Sequence, residues 1–220
     1  ITLVGGMLLA LLFNRMTRAF NAMRTIVFMP KYIAVSTSAV VFQWILYSTI
    51  ATGIGQSEGI LNYALSLFGI QGPHWLIDAD TALSGVLILT AWRVVGYAMM
   101  IYLSAMKGIS TDYYEAAAID GANIRQRIWH ITLPAIRKLA GTMLILQIIS
   151  VFQIMYEPMV LTKGGPDNAS LSLMQLMWQY AFGGSMNYGK ASAVAVIVTL
   201  ILLVLTAIYS YFNRRESDWE

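Results

Sequence analysis

The sequence predicts an all-α, polytopic membrane helix bundle, and three observations lead there. The first is composition: 58% of the 220 residues are hydrophobic and only 11% are charged, against about 45–50% and about 25% in a soluble domain. The second is a series of apolar stretches close to the roughly 20 residues that cross a hydrocarbon core of about 30 Å as a helix. The third is that the basic residues fall in alternate connections between those stretches. With a mean hydropathy of +0.64, so few charges cannot cover a water-exposed surface. An ordinary soluble enzyme, a nucleic-acid binder and a disordered chain are excluded. The absence of cysteine removes disulfides and thiolate metal sites. His74 and His130 are isolated, the methionines have no paired His or Cys beside them, and no cofactor or metal is expected.

The elements follow in order. Ile1–Phe13 is apolar but only about 20 Å long as a helix at 1.5 Å per residue. It begins without a methionine, a polar flank or the charged region of a signal peptide, and reads as the tail of a span whose start lies upstream. Four longer spans come next: Tyr32–Ile50, Ala82–Met106 with the single charge Arg93, Leu139–Leu161 with the single charge Glu157, and Ala191–Phe212. Backbone groups have no water partners in lipid, so spans must be helices. Residues 1–220 therefore form one transmembrane domain. The connections are punctuated by Gly53, Gly55, Gly59 and Gly72-Pro73 on one side of the pattern, and by Gly164-Gly165-Pro166 and Gly183-Gly184 later on. Trp44, Tyr47, Trp75, Trp178 and Tyr188 lie near span ends, where an aromatic belt is expected.

Charge sets the orientation. Residues 14–31 hold Arg15, Arg18, Arg24 and Lys31; residues 107–138 hold Lys107, Arg125, Arg127, Arg137 and Lys138; the tail holds Arg214 and Arg215. The intervening connections hold only Lys163 and Lys190, with Glu58, Asp78 and Asp80 in the first of them. The positive-inside rule places 14–31, 107–138 and 213–220 in the cytoplasm.

The connection 107–138 carries the most information. Asp112 followed by Glu115 reads as a capping box that starts a helix at Tyr113, and Gly121 is a natural residue to end it. A second short helix, Ile124–His130, should follow, with Pro134 in the first turn of the next span. A small, alanine-rich face results, with Glu115 and Asp120 available to a basic partner. The spacing Glu115-Ala116-Ala117, Gly121, then Ile131-x-Leu133-Pro134 resembles the EAA signature of ABC importer permeases, the MetI-like inner-membrane components of binding-protein-dependent transport systems. Leu161-Thr162-Lys163-Gly164-Gly165-Pro166, Gly189-Lys190-Ala191-Ser192-Ala193 and Phe28-Met29-Pro30 are similar to further elements of the carbohydrate-uptake class, the maltose-type permeases, in the same order.

The resemblance implies six spans, of which five are present and the N-terminal one is missing. It implies a heterodimer with a second homologous permease, two cytoplasmic ATP-binding subunits, and an extracytoplasmic solute-binding protein, in the plasma (inner) membrane of a bacterium or archaeon. Glu115, Ala116, Ala117, Asp120, Gly121, Ile131, Leu133 and Pro134 would couple the chain to the ATPases, and ATP hydrolysis would lie on those partners. Alignment with the sugar site of the maltose-type permeases places Thr90, Arg93, Val94, Tyr97, Gln147, Ser150, Val151 and Ile154 along the substrate path. Val151 and Ile154 stand where that site has asparagines, which argues against maltose itself.

Charged groups inside a span default to a functional reading. Arg93 at mid-span would donate to sugar hydroxyls and Glu157 accept, and the alternative is that the two pair to fix packing. Thr90, Arg93 and Tyr97 are spaced for one helical face, as are Gln147, Ser150 and Ile154. Pro158 should interrupt its span and free a carbonyl. Other readings are a permease for a sugar phosphate, where Arg93 meets the anion, and an ion-coupled secondary transporter with Glu157 as proton carrier. The run Gly184–Lys190 imitates a phosphate-binding loop but ends in Ala191 where Ser or Thr is required, and no strand precedes it.

Overall fold

The computed structural model describes residues 1–14, 18–48, 59–184 and 186–217. Arg15, Ile50, the Gly53, Gly55 and Glu58 part of the first outer connection, Ser185 of the phosphate-loop imitation, and residues 218–220 of the tail lie outside the described residues. Among those described, all regular structure is helical, including the short helices α4 (Ile60–Ser66) and α10 (Leu173–Phe182). Three helices are long and apolar enough to cross a membrane: Ala79–Lys107, Ile124–Phe152 and Tyr188–Tyr211. A fourth is counted if the helix pair on either side of the turn at residues 29–32 is taken as one span.

The contacts divide the chain into two compact units. The first comprises Ile1–Lys31, Arg93–Ile148 and Ala207–Glu220. Here α1 (Thr2–Leu12) lies on α5 (Ala79–Lys107) through small residues. A Cβ added at Gly6 would stand 2.6 Å from the Ala98 Cβ, so the two backbones approach to a distance that only glycine permits. Gly96 makes the matching allowance for α2 (Arg18–Phe28), because a Cβ there would collide with the Val27 carbonyl. Ala10, Met99, Tyr102, Met106 and Ile136 form the buried core of this unit. Lipid tails are as apolar as these side chains, so such close packing, rather than apolar transfer, holds helices together within a membrane.

Arg24 is one of the basic residues assigned by charge to the cytoplasmic face, yet it is buried. Its Nε donates to the Phe13 carbonyl at 3.0 Å, Nη2 donates to the same oxygen, and Nη1 donates to Asn21 Oδ1 at 2.8 Å. A cation thus satisfies the exposed carbonyl end of α1, where the helix dipole is negative.

The second unit comprises Tyr32–Trp92 and Ile149–Thr206. Its core of Ala39, Phe42, Leu46, Val86, Leu89 and Leu161 joins α3 (Val35–Ile45), α5 and α9 (Tyr156–Leu161). Gln43 of α3 donates through Nε2 to the Val160 carbonyl at 2.7 Å, a directed bond between two helices. The expected span Tyr32–Ile50 is realised as the 11 residues of α3, preceded by a 3₁₀ turn at Met29–Tyr32 that contains Pro30. Proline lacks the amide that would continue α2 through this point.

The span expected at Leu139–Leu161 is shifted and cut. Helix α8 (Leu133–Phe152) begins earlier, and a break at 153–155 separates it from α9. The break matches the interruption that the Pro158 ring suggested, for the missing amide is the one that would bond the carbonyl of Ile154, four residues back and inside the break. Pro158 itself sits in the first turn of α9, where a missing amide costs nothing, and its carbonyl accepts from the Thr162 amide at 3.1 Å. Glu157 accordingly lies on a short helix beyond the span and not within it. Trp75 also serves the scaffold: its Nε1 donates to Asn62 Oδ1 at 2.6 Å and its ring packs on the core of this unit.

Candidate functional site

The connection at residues 107–138 builds a capped helix on a rigid stalk. α6 (Thr111–Ile119) is capped by Ser110, whose hydroxyl accepts from the Asp112 amide at 3.3 Å. The capping box expected from Asp112 and Glu115 is thus displaced by a serine two residues upstream. A hydroxyl at that position reaches the orphan amide and leaves both carboxylates to the exterior. At the other end Gly121 adopts φ +75°. Its amide bonds the Ala118 carbonyl at 3.1 Å, and the Ala122 amide bonds the Ala117 carbonyl at 2.8 Å. That is the Schellman pattern, and the left-handed residue at its turn explains the glycine.

The next short helix is not separate. Asn123 and Gln126 form a reciprocal capping box at the start of α7 (Ile124–Arg127), at 2.9 and 2.7 Å. α7 then passes through a π-turn, Ile128–Thr132, directly into α8. The Leu133 amide donates to the Ile128 carbonyl, five residues back. Pro134 accounts for the widening: it has no amide for the His130 carbonyl, and the backbone takes up an extra residue instead of breaking. Pro134 therefore lies inside a continuous helical run, not at its start.

Two further bonds lock α6 onto this stalk. Tyr114 Oη and Thr132 Oγ1 are 2.9 Å apart, and Arg127 Nε donates to the Ala122 carbonyl at 2.9 Å. Glu115, Ala116, Asp120 and Gly121 are exposed, while Ala117 is half-buried. Around them stand Tyr113, Ile119 (87% exposed), Ile124 and Trp129 (69% exposed), large apolar side chains with no cover from this chain. A hollow of about 310 Å³ opens between Gly121, Asp120, Gln126, Arg127 and His130. Ile131 lines it too, whereas Leu133 and Pro134 lie where the stalk enters α8. The arrangement is a docking knob with apolar and acidic groups together. The sequence had no signal for Tyr114 and Thr132, because 18 residues separate them.

The residues expected along a substrate path divide between two helices. Thr90, Arg93, Val94 and Tyr97 lie on α5, with Arg93 at the midpoint of its 29 residues. The hydroxyl of Thr90 is turned back onto its own helix, Oγ1 donating to the Val86 carbonyl at 2.8 Å. Tyr97 is 43% exposed, with Lys31 Nζ 5.2 Å from its ring centre, a cation–π pair that spacing alone does not reveal. Gln147, Ser150 and Val151 lie on α8, Gln147 half-buried and the other two exposed. Ile154 falls in the break after α8, so the face it was expected to share with Gln147 and Ser150 is not continued to it. It packs instead against the core of the second unit.

The Leu161–Pro166 element is a tight loop. Thr162 Oγ1 bonds the Pro158 carbonyl at 3.0 Å and Ser170 Oγ at 2.6 Å, and Ser170 Oγ also reaches the Gly165 carbonyl at 2.9 Å. Gly164, at φ +87°, leaves room for buried Gln175, whose Nε2 would stand 3.0 Å from a Cβ there. No cluster of three or more metal-ligating side chains occurs among the described residues.

Comparison with known proteins supplies context. The sequence profile of the family described as binding-protein-dependent transport system inner membrane component matches residues 2–218. The chain is 32% identical over 218 residues to the probable ABC transporter permease protein YurN of Bacillus subtilis, covering 97% of this chain and 72% of that protein. It is 31% identical over 216 residues to the trehalose/maltose transport system permease protein MalF of Thermococcus litoralis, covering 97% and 69%. The fold is similar to a chain of a bacterial alginate ABC transporter crystallised in complex with its alginate pentasaccharide-bound periplasmic protein. That match has a TM-score of 0.83 at 23% identity and covers 97% of this chain and 72% of that one.

Proposed function

The chain belongs to the family of binding-protein-dependent transport system inner membrane components, and on that premise we propose that it is the permease subunit of an ATP-driven importer for a sugar or oligosaccharide. It is an integral membrane protein, as its three long apolar helices require. In this reading a second related permease completes the pore, and a solute-binding protein delivers the sugar from outside. Two cytoplasmic subunits hydrolyse ATP, so the chain itself performs no covalent chemistry. Residues 14–31, 107–138 and 213–220 face the cytoplasm of a bacterium or archaeon. The relative named for trehalose and maltose, 31% identical over 97% of the chain, supports the substrate class.

The observation that carries the reading is the knob at Glu115–Gly121. Both ends of α6 are capped, and the Tyr114–Thr132 contact ties it to a helix that continues into the membrane as α8. A displacement imposed on such a knob is passed to the spans as a rigid-body movement rather than absorbed in a loop. An ATPase groove with apolar walls and a basic rim complements Ile119, Trp129, Glu115 and Asp120. Within the first unit, Arg93, Tyr97 and Gln147 offer the mixture of hydrogen-bonding and aromatic groups that a polyhydroxyl ligand needs, with Val94 as apolar surface on the same helix as Arg93. Ser150, Val151 and Glu157 belong to the second unit, Glu157 on α9 past the end of α8.

The test is uptake of labelled oligosaccharide into proteoliposomes that hold the assembled importer. Glu115→Lys should leave the chain inserted while the ATPase subunits detach and uptake is lost. Uptake that persists without ATP and collapses with the proton gradient would overturn the proposal in favour of an ion-coupled carrier.

A further inference from the structure

Within the first unit, Tyr97 stands ten residues before Lys107 on α5. At 1.5 Å per residue that is about 15 Å, the half-thickness of a hydrocarbon core. The end of α2 is pinned at this level, because the Val27 carbonyl and the Phe28 Cα crowd Gly96. The 3₁₀ turn that follows buries Pro30 and exposes Lys31, whose Nζ lies over the Tyr97 ring. Lys31 counts by charge among the cytoplasmic residues, yet its ammonium stands level with mid-span. A snorkelling lysine would carry its charge to the boundary instead. Among the described residues Tyr97 is the partner of this ammonium, and no carboxylate lies within ion-pair distance of it. Asp112, Glu115 and Asp120 of this unit come after Lys107, in the knob. Its other three acidic residues follow Asn213, which lines a hollow with Tyr102, five residues nearer Lys107 than Tyr97 is.

We infer, on the importer reading proposed above, that Lys31 is a specificity-determining residue of the translocation path and selects a saccharide that carries a carboxylate, a uronate, over neutral sugars. Irregular backbone at membrane depth is tolerated only where protein covers it or water borders it, and a charge there turns to the bundle interior or a wet cavity. An exposed ammonium on such a turn therefore borders the aqueous path and not the lipid. The tyrosine face steadies the ammonium from one side, and its N–H donors on the other side remain for a ligand. A carboxylate accepts such a bond with about twice the strength of a neutral hydroxyl, more so where water is scarce. One ammonium balances the single charge of a carboxylate, whereas a phosphate ester of about −2 leaves an excess.

The assembled importer in nanodiscs provides the test, through equilibrium binding of trigalacturonate and triglucuronate, each beside its methyl ester. The ester keeps the sugar skeleton and removes the charge. In at least one pair the acid should bind about 10-fold tighter than its ester, the worth of a hydrogen bond to a charged group. Lys31→Gln should make acid and ester equal while leaving the ester unchanged. Lys31→Arg should retain the preference, and Lys107→Gln, at the end of α5, should not alter it. Equal affinities in both pairs for the unmodified importer would overturn the inference, and so would a preference that survives Lys31→Gln. Tighter binding of maltotriose phosphate than of either acid would assign the charge to a phosphate and overturn it too. Loss of the second permease from the Lys31→Gln complex would do the same, by assigning the charge to that interface. Because the chain has no cysteine, Lys31→Cys can be labelled on it by a charged thiol reagent. Labelling should be faster than at Leu8→Cys, an exposed apolar position of α1, and equal rates would overturn the inference. ATP-driven uptake without any preference for the acids would overturn this inference alone, whereas uptake that persists without ATP would overturn the importer reading itself.

Discussion

Gly121 holds the end of the proposed coupling helix at φ +75°, and a side chain there would meet nothing within 4 Å. Substitution is therefore opposed by backbone conformation and not by space. An L-residue in the left-handed region costs roughly 1–2 kcal/mol, less for asparagine and more for a β-branched residue. Two bonds depend on the turn, Gly121 to Ala118 at 3.1 Å and Ala122 to Ala117 at 2.8 Å. A loss of about 1–2 kcal/mol shifts a local equilibrium roughly 5–30-fold, while domain stability is about 5–15 kcal/mol. The chain should thus fold and insert, but with α6 frayed at its end. ATP-driven uptake per inserted transporter, measured in proteoliposomes, should fall in the order Gly, Asn, Ala, Val. Hydrogen exchange of the residue 121 and 122 amides should rise in the same order. Asparagine as harmful as valine would refute the conformational argument and point to crowding against a partner. Alanine equal to glycine in both measurements would refute it outright.

Other perturbations probe the remaining supports. Gly6→Val should cost about 1–3 kcal/mol by overpacking, because even a first carbon would stand 2.6 Å from Ala98, and should lower the thermal midpoint of the purified importer. Gln43→Leu leaves the Val160 carbonyl without its 2.7 Å partner and should cost a similar amount, read by the same melt. Pro134→Ala restores a donor for the His130 carbonyl, so the π-turn should relax to an α-helix. Stability should then hold or rise while uptake falls, since the turn sets the position of Thr132 beneath Tyr114. Arg93→Ala should change the apparent affinity for sugar at normal protein abundance. Reduced abundance with unaltered kinetics would assign Arg93 to packing alone.

How far the sequence reaches is clearest where it was corrected. Gly121 was legible as a helix end because one residue, in one backbone conformation, decides it. The cap at the other end was assigned to Asp112 and belongs to Ser110, for both residues satisfy the local pattern and only the folded turn shows which oxygen reaches the amide. Pro134 and Pro158 had different effects on the backbone: the first sits within a helix that widens around it, and the second follows a break that contains Ile154, the residue whose carbonyl its missing amide would have bonded. A proline states which bond is lost; the surrounding packing states what the backbone does about it.

Composition, apolar length and the alternation of basic residues were enough by themselves to determine a helical membrane protein, because lipid imposes its demands on every residue of a span independently of its neighbours, while the family was legible in the spacing of Glu115-Ala116-Ala117, Gly121 and Ile131-x-Leu133-Pro134. The tertiary structure alone decided which small residues let helices touch, such as Gly6 against Ala98, and which polar groups were spent on the scaffold. Arg24 on the Phe13 carbonyl, Gln43 on Val160 and Tyr114 on Thr132 join residues 11, 117 and 18 positions apart. Their partners are set by distance in space, which periodicity along the chain does not encode.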